Sequence, residues 1–385
     1  MCITCSGGHE THKVNRRGFL GGAGVVAAAL GAGVITAGRV AAEPFSTSSL
    51  ASLAGSSTPD RAGSGKLSVV LLGTQAGPPV LPERTGIATA VVVDGDVYVV
   101  DCGRAAATQY VHAGLRFDRL KAIFLTHLHA DHIADYYNFF LLGGHLPNRF
   151  ADHVDQAVNV YGPGSAGGLA PAFGGGQVPT VGTNPTPGTV EMTKRLQDAY
   201  AYSTNIFMRD TGISDVRTLV NPTDIVVPDV GADYLATAPD MEPFTVMEDD
   251  RVRVSATLVP HGVCYPSFAY RFDTEYGSVT LSGDTTYSDN LLRLAQRTDL
   301  LIHEAINVEG SNLPPVALSH MLDGHVEVQK VGTIAEQAGA RRLVLSHIGD
   351  ITHGVVNATA WHAWAQRGYT GPVTIGADLQ TISIA

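Results

Sequence analysis

The chain has 385 residues, 44% of them apolar, 7% aromatic and 16% charged, with a formal net charge of −11. That length and apolar content support a sizeable core in one large or two ordinary domains. The acidic balance makes the chain a poor partner for polyanions such as nucleic acid, and no repeat of solenoid or propeller period is present.

At the N-terminus, Asn15-Arg16-Arg17-Gly18-Phe19-Leu20 is a twin-arginine signature. It is followed by an Ala/Gly/Val stretch over 21–38, then by Val40-Ala41-Ala42 before Glu43. This pattern predicts a cleavable export signal over 1–42, and hence a periplasmic or secreted protein. The competing reading is an uncleaved anchor: the stretch is long enough to span a membrane, but it is weakly hydrophobic. No second run of membrane length follows, so the sequence predicts no stable membrane span after signal cleavage. Cleavage removes Lys13, Arg16, Arg17 and Arg39 against Glu10, which leaves the remainder more acidic still. Cys2 and Cys5 form a C-x-x-C with His9 and His12 nearby, but this group lies in the leader. Cys102 and Cys264 remain after cleavage. Two cysteines make no disulfide framework, and the choice between one bridge and two separate thiols stays open.

Residues 43–66 are rich in Ser, Thr, Ala and Gly and read as a flexible linker, so the fold begins at Leu67. A strand over 67–72 is followed by a tight Gly/Pro loop. Strands over 88–93 and 97–100 flank Asp94-Gly95-Asp96, a hairpin signal. A helix over 105–113 comes next. The run Ala122-Ile123-Phe124-Leu125 reads as a buried strand, with a helix from about 133 to 142 beyond it. A short strand covers 158–161. Residues 164–188 are Gly/Pro-rich and irregular, 190–207 read as helical, and 208–248 read as an irregular insertion. The C-terminal part predicts strands over 251–258, 267–272 and 277–282, a helix over 288–296 and a strand over 299–303. A helix over 325–339, a strand over 342–346, a helix over 355–366 and a strand over 379–384 complete it. Two groups of strands with helices between and after them predict two sheets packed together and covered by helices.

Chemistry concentrates at the strand ends. Residues 126–132 read Thr126-His127-Leu128-His129-Ala130-Asp131-His132, an H-x-H-x-D-H cluster directly after a buried strand. His261 follows Leu258-Val259-Pro260, Asp284 follows Leu281-Ser282-Gly283, and His347 ends Leu343-Val344-Leu345-Ser346. Strand ends along one edge of a sheet converge in space, as a coordination shell requires.

In these motifs the chain resembles the metallo-β-lactamase superfamily, and within it the branch of tRNase Z and the metal-dependent arylsulfatases. The resemblance covers about 67–385. It runs from Leu72-Gly73-Thr74 and Val100-Asp101-Cys102-Gly103 through the histidine cluster to Ser267-Phe268-Ala269-Tyr270-Arg271-Phe272, Ser282-Gly283-Asp284-Thr285 and Leu301-Ile302-His303-Glu304-Ala305. It implies an α/β fold, an αββα four-layer sandwich with a two-metal site along one edge. By motif position, one metal is expected on His127, His129 and His261, and the other on Asp131, His132 and His347, with Asp284 bridging. Imidazole and carboxylate without thiolate suit two Zn2+, with Mn2+ or Fe as alternative occupants. Asp101 is expected to hold a liganding imidazole in one tautomer, a strand-end turn role being the alternative. Asp131 counts as a catalytic carboxylate as well as a ligand. His325 is the expected leaving-group acid and opens a helix, although Val326 replaces the usual Ser or Thr after it; His320 is its competitor. His303 and Glu304 are read as stabilising their strand end.

The expected activity is hydrolysis by water activated at two metals. Sulfate esters lead as small-molecule substrates, because export and acidity argue against RNA and because 199–215 resembles an arylsulfatase helical insertion. That insertion, within 164–248, is expected to roof the site. Phosphodiester hydrolysis of the tRNase Z type and lactone or β-lactam hydrolysis are the alternatives, and a metal-binding scaffold is the non-enzyme reading. Homo-oligomerisation stays open.

Overall fold

A computed structural model describes residues 65–385 except 145, 149, 173 and 174. The expected export signal over 1–42, the N-terminal C-x-x-C and nearly all of the expected linker lie outside the described residues. Strands β1 (Leu67–Gly73), β2 (Ala88–Val93) and β3 (Asp96–Val100) come first, then helix α1 (Ala106–His112) and β4 (Leu120–Phe124). Two short helices, α2 (Ala130–Ile133) and α3 (Asn138–Leu141), precede β5 (Val158–Pro163). Helices α4 (Thr189–Ala199) and α5 (Ala201–Thr211) lead to β6 (Val220–Ile225). β7 (Phe244–Glu248), β8 (Val252–Leu258), β9 (Phe268–Thr274) and β10 (Gly277–Leu281) form an antiparallel run. Then follow α6 (Asp289–Leu294), β11 (Leu300–Asn307), α7 (Pro315–Gly324), α8 (Val328–Ala338), β12 (Leu343–Asp350), α9 (Ala358–Ala365), β13 (Val373–Ile375) and β14 (Gln380–Ser383).

The strands make two seven-stranded sheets, ordered β14-β1-β2-β3-β4-β5-β6 and β13-β12-β11-β10-β9-β8-β7. Period-two alternation along β1 explains the layering. Leu67, Val69 and Leu71 face the second sheet, while Val70 and Leu72 face the helical side. The inter-sheet layer is aromatic at its centre. Phe124 stacks on Tyr161 at 5.3 Å and meets Phe272 edge-on, also at 5.3 Å. A second apolar layer joins the first sheet to α1 and the segment around Tyr136, Phe139 and Phe140. A third joins the second sheet to α6, α8 and α9, with Trp361 fully buried. The result is the expected αββα sandwich. The hairpin between β2 and β3 turns on Asp94 and Gly95, both at positive φ, as a two-residue turn matched to strand twist requires.

Several boundaries differ from the sequence expectation, each for a physical reason. The helix expected from about 133 starts instead at Ala130 and breaks after Ile133. The backbone N–H of Asp135 donates to the Cys102 carbonyl at 2.9 Å rather than continuing the helical ladder. The helix expected over 190–207 turns at Tyr200, whose ring stacks on Tyr137 at 5.9 Å. The insertion over 208–248 is not wholly irregular, since it supplies β6 and β7, an edge strand of each sheet. Edge strands are half exposed and need no apolar run, and β6 even accommodates Pro222. Helix α7 begins at Pro315, where the missing N–H costs nothing. Helix α8 starts at Val328, so His325 does not open it but sits in an extended link after α7.

Replacing Phe124 with Ala empties the centre of the inter-sheet layer. We expect a loss of about 3–5 kcal/mol of unfolding free energy, read by denaturant titration.

Candidate metal centre

The strand ends deliver the side chains to one edge. β4 ends at Phe124, and the Thr126 carbonyl accepts the Phe268 N–H of the second sheet at 2.9 Å. The chain then enters α2, so that His127, His129, Asp131 and His132 all leave the first sheet together. Gly103 lets this turn pack closely, because a Cβ there would lie 2.4 Å from the Asp131 carbonyl oxygen. From the second sheet, His261 follows β8 and Asp284 follows β10, while His347 lies within β12. Gly283 takes φ +59° before Asp284, and a Cβ there would lie 2.4 Å from the Phe268 carbonyl oxygen. His347 sits in a bulge, where Ser346 and His347 together oppose Glu304, and its φ is +54°. Bulges re-aim side chains beside functional sites, and this one turns an imidazole toward the edge.

The seven side chains converge as two groups sharing one carboxylate. In the first, His129 Nδ1 lies 2.9 Å from His127 Nε2 and 3.1 Å from His261 Nε2. In the second, Asp131 Oδ2 lies 3.5 Å from His132 Nε2 and 3.4 Å from His347 Nε2. Asp284 Oδ2 stands between them, at 3.3 and 3.2 Å from His132 and His347, and at 3.9 and 3.7 Å from His127 and His261. Four donors about 2.0–2.1 Å from a tetrahedral ion lie roughly 3.3 Å apart, which is the spacing found here.

The imidazoles are pinned from behind. Asp101 can only accept, so His132 Nδ1 donates to it at 2.8 Å, and Nε2 is left bare toward the centre. Asp101 also accepts from the Thr126 N–H and hydroxyl, both at 2.8 Å. With its proton committed there, the Thr126 hydroxyl accepts from His127 Nδ1 at 3.1 Å. His261 Nδ1 donates to the Gly324 carbonyl at 2.8 Å. Burial, aided by neighbouring His132, holds His127 well below the usual histidine range. Burial likewise pushes His261 down to about 3 and lowers His129. These nitrogens therefore present lone pairs rather than protons. Burial also pulls His132 down, but Asp284 and Asp101 outweigh it and raise that imidazole well above its ordinary value. Burial raises Asp131 and Asp284, yet the surrounding imidazoles hold Asp131 at about 2 and Asp284 well below the carboxylate range. Asp284 Oδ1, His132 Nε2 and His347 Nδ1 are buried with no hydrogen-bond partner. Ionised carboxylates, bare imidazole nitrogens and orphaned buried atoms in one cluster fit divalent metal.

The other candidates fall in distinct places. His325 is brought beside the cluster, its ring 5.0 Å from His261 and stacked at 5.8 Å on His347. His320 is exposed on α7. Glu304, read from sequence as a strand-end stabiliser, faces His325 Nδ1 across 3.4 Å. Burial opposes charge on His325, but Glu304 prevails and lifts it to about 9. The signal for Glu304 was a charged residue inside the fully buried strand β11. His303 is buried, with Nδ1 donating to the Glu304 carbonyl. Cys102 and Cys264 are separate free thiols. Sequence reasoning gave Cys264 no site role, yet its donor atom groups with those of His127 and His129. Phe139 and Phe140 are fully buried core, while Tyr200, Tyr202 and Phe207 on the 199–215 segment are exposed.

The fold and this site define a metal-dependent hydrolase. The metallo-β-lactamase superfamily profile matches residues 83–144. Ribonuclease Z of Mycobacterium bovis (strain BCG / Pasteur 1173P2) is 28% identical over 320 residues, covering 83% of this chain and 98% of the relative. Ribonuclease Z of Mycobacterium tuberculosis (strain ATCC 25618 / H37Rv) shows the same identity and coverage. Human tRNase Z, short form, superposes with a TM-score of 0.54 at 21% identity, over 83% of this chain and 99% of the other. A metallo-β-lactamase fold protein of Bacillus subtilis gives 0.52 at 18% identity, over 82% and 98%. The chain has the metallo-β-lactamase fold, and these matches are all to proteins of that fold or superfamily.

Asp101→Asn keeps the shape but removes the charge that fixes His132. We expect metal affinity to fall about 10–100-fold with the fold retained, measured by chelator competition and circular dichroism.

Proposed function

We propose that this protein is a dinuclear metal-dependent phosphodiesterase. His127, His129 and His261 would hold one cation, Asp131, His132 and His347 the other, and Asp284 both. When bound, such ions supply Lewis acidity and lower the pKa of water to about 7. The chain's own groups do the rest. Asp284 and Asp131, kept ionised, can accept a hydrogen bond from an attacking water and orient it. Glu304 engages His325 at Nδ1, which leaves Nε2 to give a proton to the departing oxygen.

The observation that carries the proposal is the Glu304–His325 pair set against both donor groups. A protonated imidazole beside a hydrolytic centre serves a poor leaving group such as an alkoxide. The bond type is supported by the 28% relatives, which are named for cleaving RNA, a phosphodiester. The sulfate-ester expectation has no such support among those relatives, so phosphodiesters replace it as the leading class. Residues 164–248 are the source of substrate selectivity in this reading, and Tyr265, next to Cys264, donates to the Ala232 carbonyl of that segment.

A metal-loaded panel of bis-aryl phosphate, RNA with a 3′ extension, aryl sulfate, lactone and cephalosporin tests this. A phosphodiester should be the fastest substrate; aryl sulfate alone would overturn the proposal. Full metal loading without any turnover would favour the scaffold reading. Asp284→Ala should abolish turnover and metal binding together. His325→Ala should lower kcat about 10²–10⁴-fold while metal content is kept. Metal lost from that variant would make His325 a ligand instead.

We also propose that the protein is exported, on the strength of Arg16-Arg17 and the small residues Ala41-Ala42. Arg16→Lys with Arg17→Lys should hold it in the cytoplasmic fraction, while the unaltered chain appears outside. Equal export of both would show that the twin arginines do not direct it.

A further inference from the structure

Cys264 reaches the centre through local backbone geometry. After β8, the segment His261-Gly262-Val263-Cys264 folds into a turn closed by the Cys264 N–H, which donates to the His261 carbonyl at 3.0 Å. Gly262 takes φ +52° inside that turn, and its N–H is held by the Asp323 carbonyl at 3.0 Å. The Ser267 hydroxyl donates to the Cys264 carbonyl at 3.2 Å and fixes the far side. The turn brings Cys264 back beside the edge from which His261 points. There, one donor atom each from His127, His129 and Cys264 lie within 4.8 Å of one another. An independent observation marks the same edge as a cation site: Asp284, 3% exposed, keeps Oδ1 without a hydrogen-bond partner, and His132 Nε2 is likewise bare. Cys102 does not compete for the thiol, because the two cysteines are unpaired.

We propose that Cys264 is a thiolate donor to the cation held by His127 and His129, which makes that position sulfur-seeking. The inference rests on the metal reading above. As the sulfur–metal bond forms, the thiol proton passes to solvent, so charge balances without any redox partner. Thiolate together with imidazole selects borderline and soft ions, namely Zn2+, Co2+ and Cd2+, over Mn2+ and Mg2+. The Asp131, His132 and His347 group has no such donor and stays a nitrogen and oxygen site. The two positions would then differ in the metals they prefer.

The full chain, stripped with chelator and reloaded with Co2+, tests this without any substrate. The expected result is a sulfur-to-cobalt charge-transfer band in the near ultraviolet. It should be lost in Cys264→Ser and kept in Cys102→Ser, while the visible d–d bands of the imidazole-held ions persist in both. Alkylation of Cys264 by iodoacetamide, read by peptide mass, should be blocked by Cd2+ and restored by chelator. Two bound Co2+ with no charge-transfer band would overturn the inference and leave the metal reading intact. A band that survives Cys264→Ser would overturn it equally. Failure to bind Co2+ at all would sink the metal reading, and the role of Cys264 with it. Should Cys264→Ser fold poorly by circular dichroism, the alkylation protection on the unaltered chain decides alone.

Discussion

The Asp101 carboxylate is the contact on which the centre depends. It accepts from the Thr126 backbone and hydroxyl and from His132 Nδ1, and so ties the end of β3 to the loop that carries four of the seven donors. Its φ of +60° shows what holding that position requires, since a residue with a Cβ rarely sits there without enforcement. The enforcement comes from the Asp101 N–H, which donates to the Phe124 carbonyl at 2.8 Å, and from the Cys102 N–H, which donates to the His132 carbonyl at 2.7 Å. Without that carboxylate, His132 could turn a protonated nitrogen inward and the second group would lose its strongest orientation.

The second sheet solves the same problem by different means. His347 is aimed by a bulge opposite Glu304, Asp284 by the left-handed Gly283, and His261 by a carbonyl at the end of α7. Glu304 thereby serves twice: its Oε1 accepts the Val326 N–H at 2.8 Å, fixing the link that carries His325, and its Oε2 faces the His325 ring. The backbone of the link that carries His325 and the charge beside its ring are set by one buried side chain.

Much of this was legible in the sequence, for physical reasons. The layers were readable because β1, β2 and β9 alternate or run apolar with the period of a buried sheet. That these seven side chains meet was readable because each sits at or just beyond an apolar run. What escaped lay where context overrides pattern. β6 and β7 are edge strands with little apolar signal, and α7 hides behind Pro314-Pro315. Glu304 looked like a strand-end charge because its partner, His325, is 21 positions away and meets it only through the fold. Cys264 escaped because two soft-looking cysteines in one chain invite the question of pairing before that of ligation. The sulfate-ester expectation leaned on net charge, which describes the whole surface, whereas the 28% identical relatives are named for ribonuclease activity.

The donors divide between the sheets: His127, His129, Asp131 and His132 leave the first, and His261, Asp284 and His347 the second. Each of the two groups draws on both sides. Along this edge the sandwich is therefore closed by charge and lone pairs, whereas its interior is closed by Phe124, Tyr270 and Phe272. Occupancy of the centre is then a fastener across the seam, and any ion bound there adds to folding stability in proportion to the logarithm of its concentration over Kd. The chain's durability in a metal-poor compartment and its catalytic readiness would be set by the same ions.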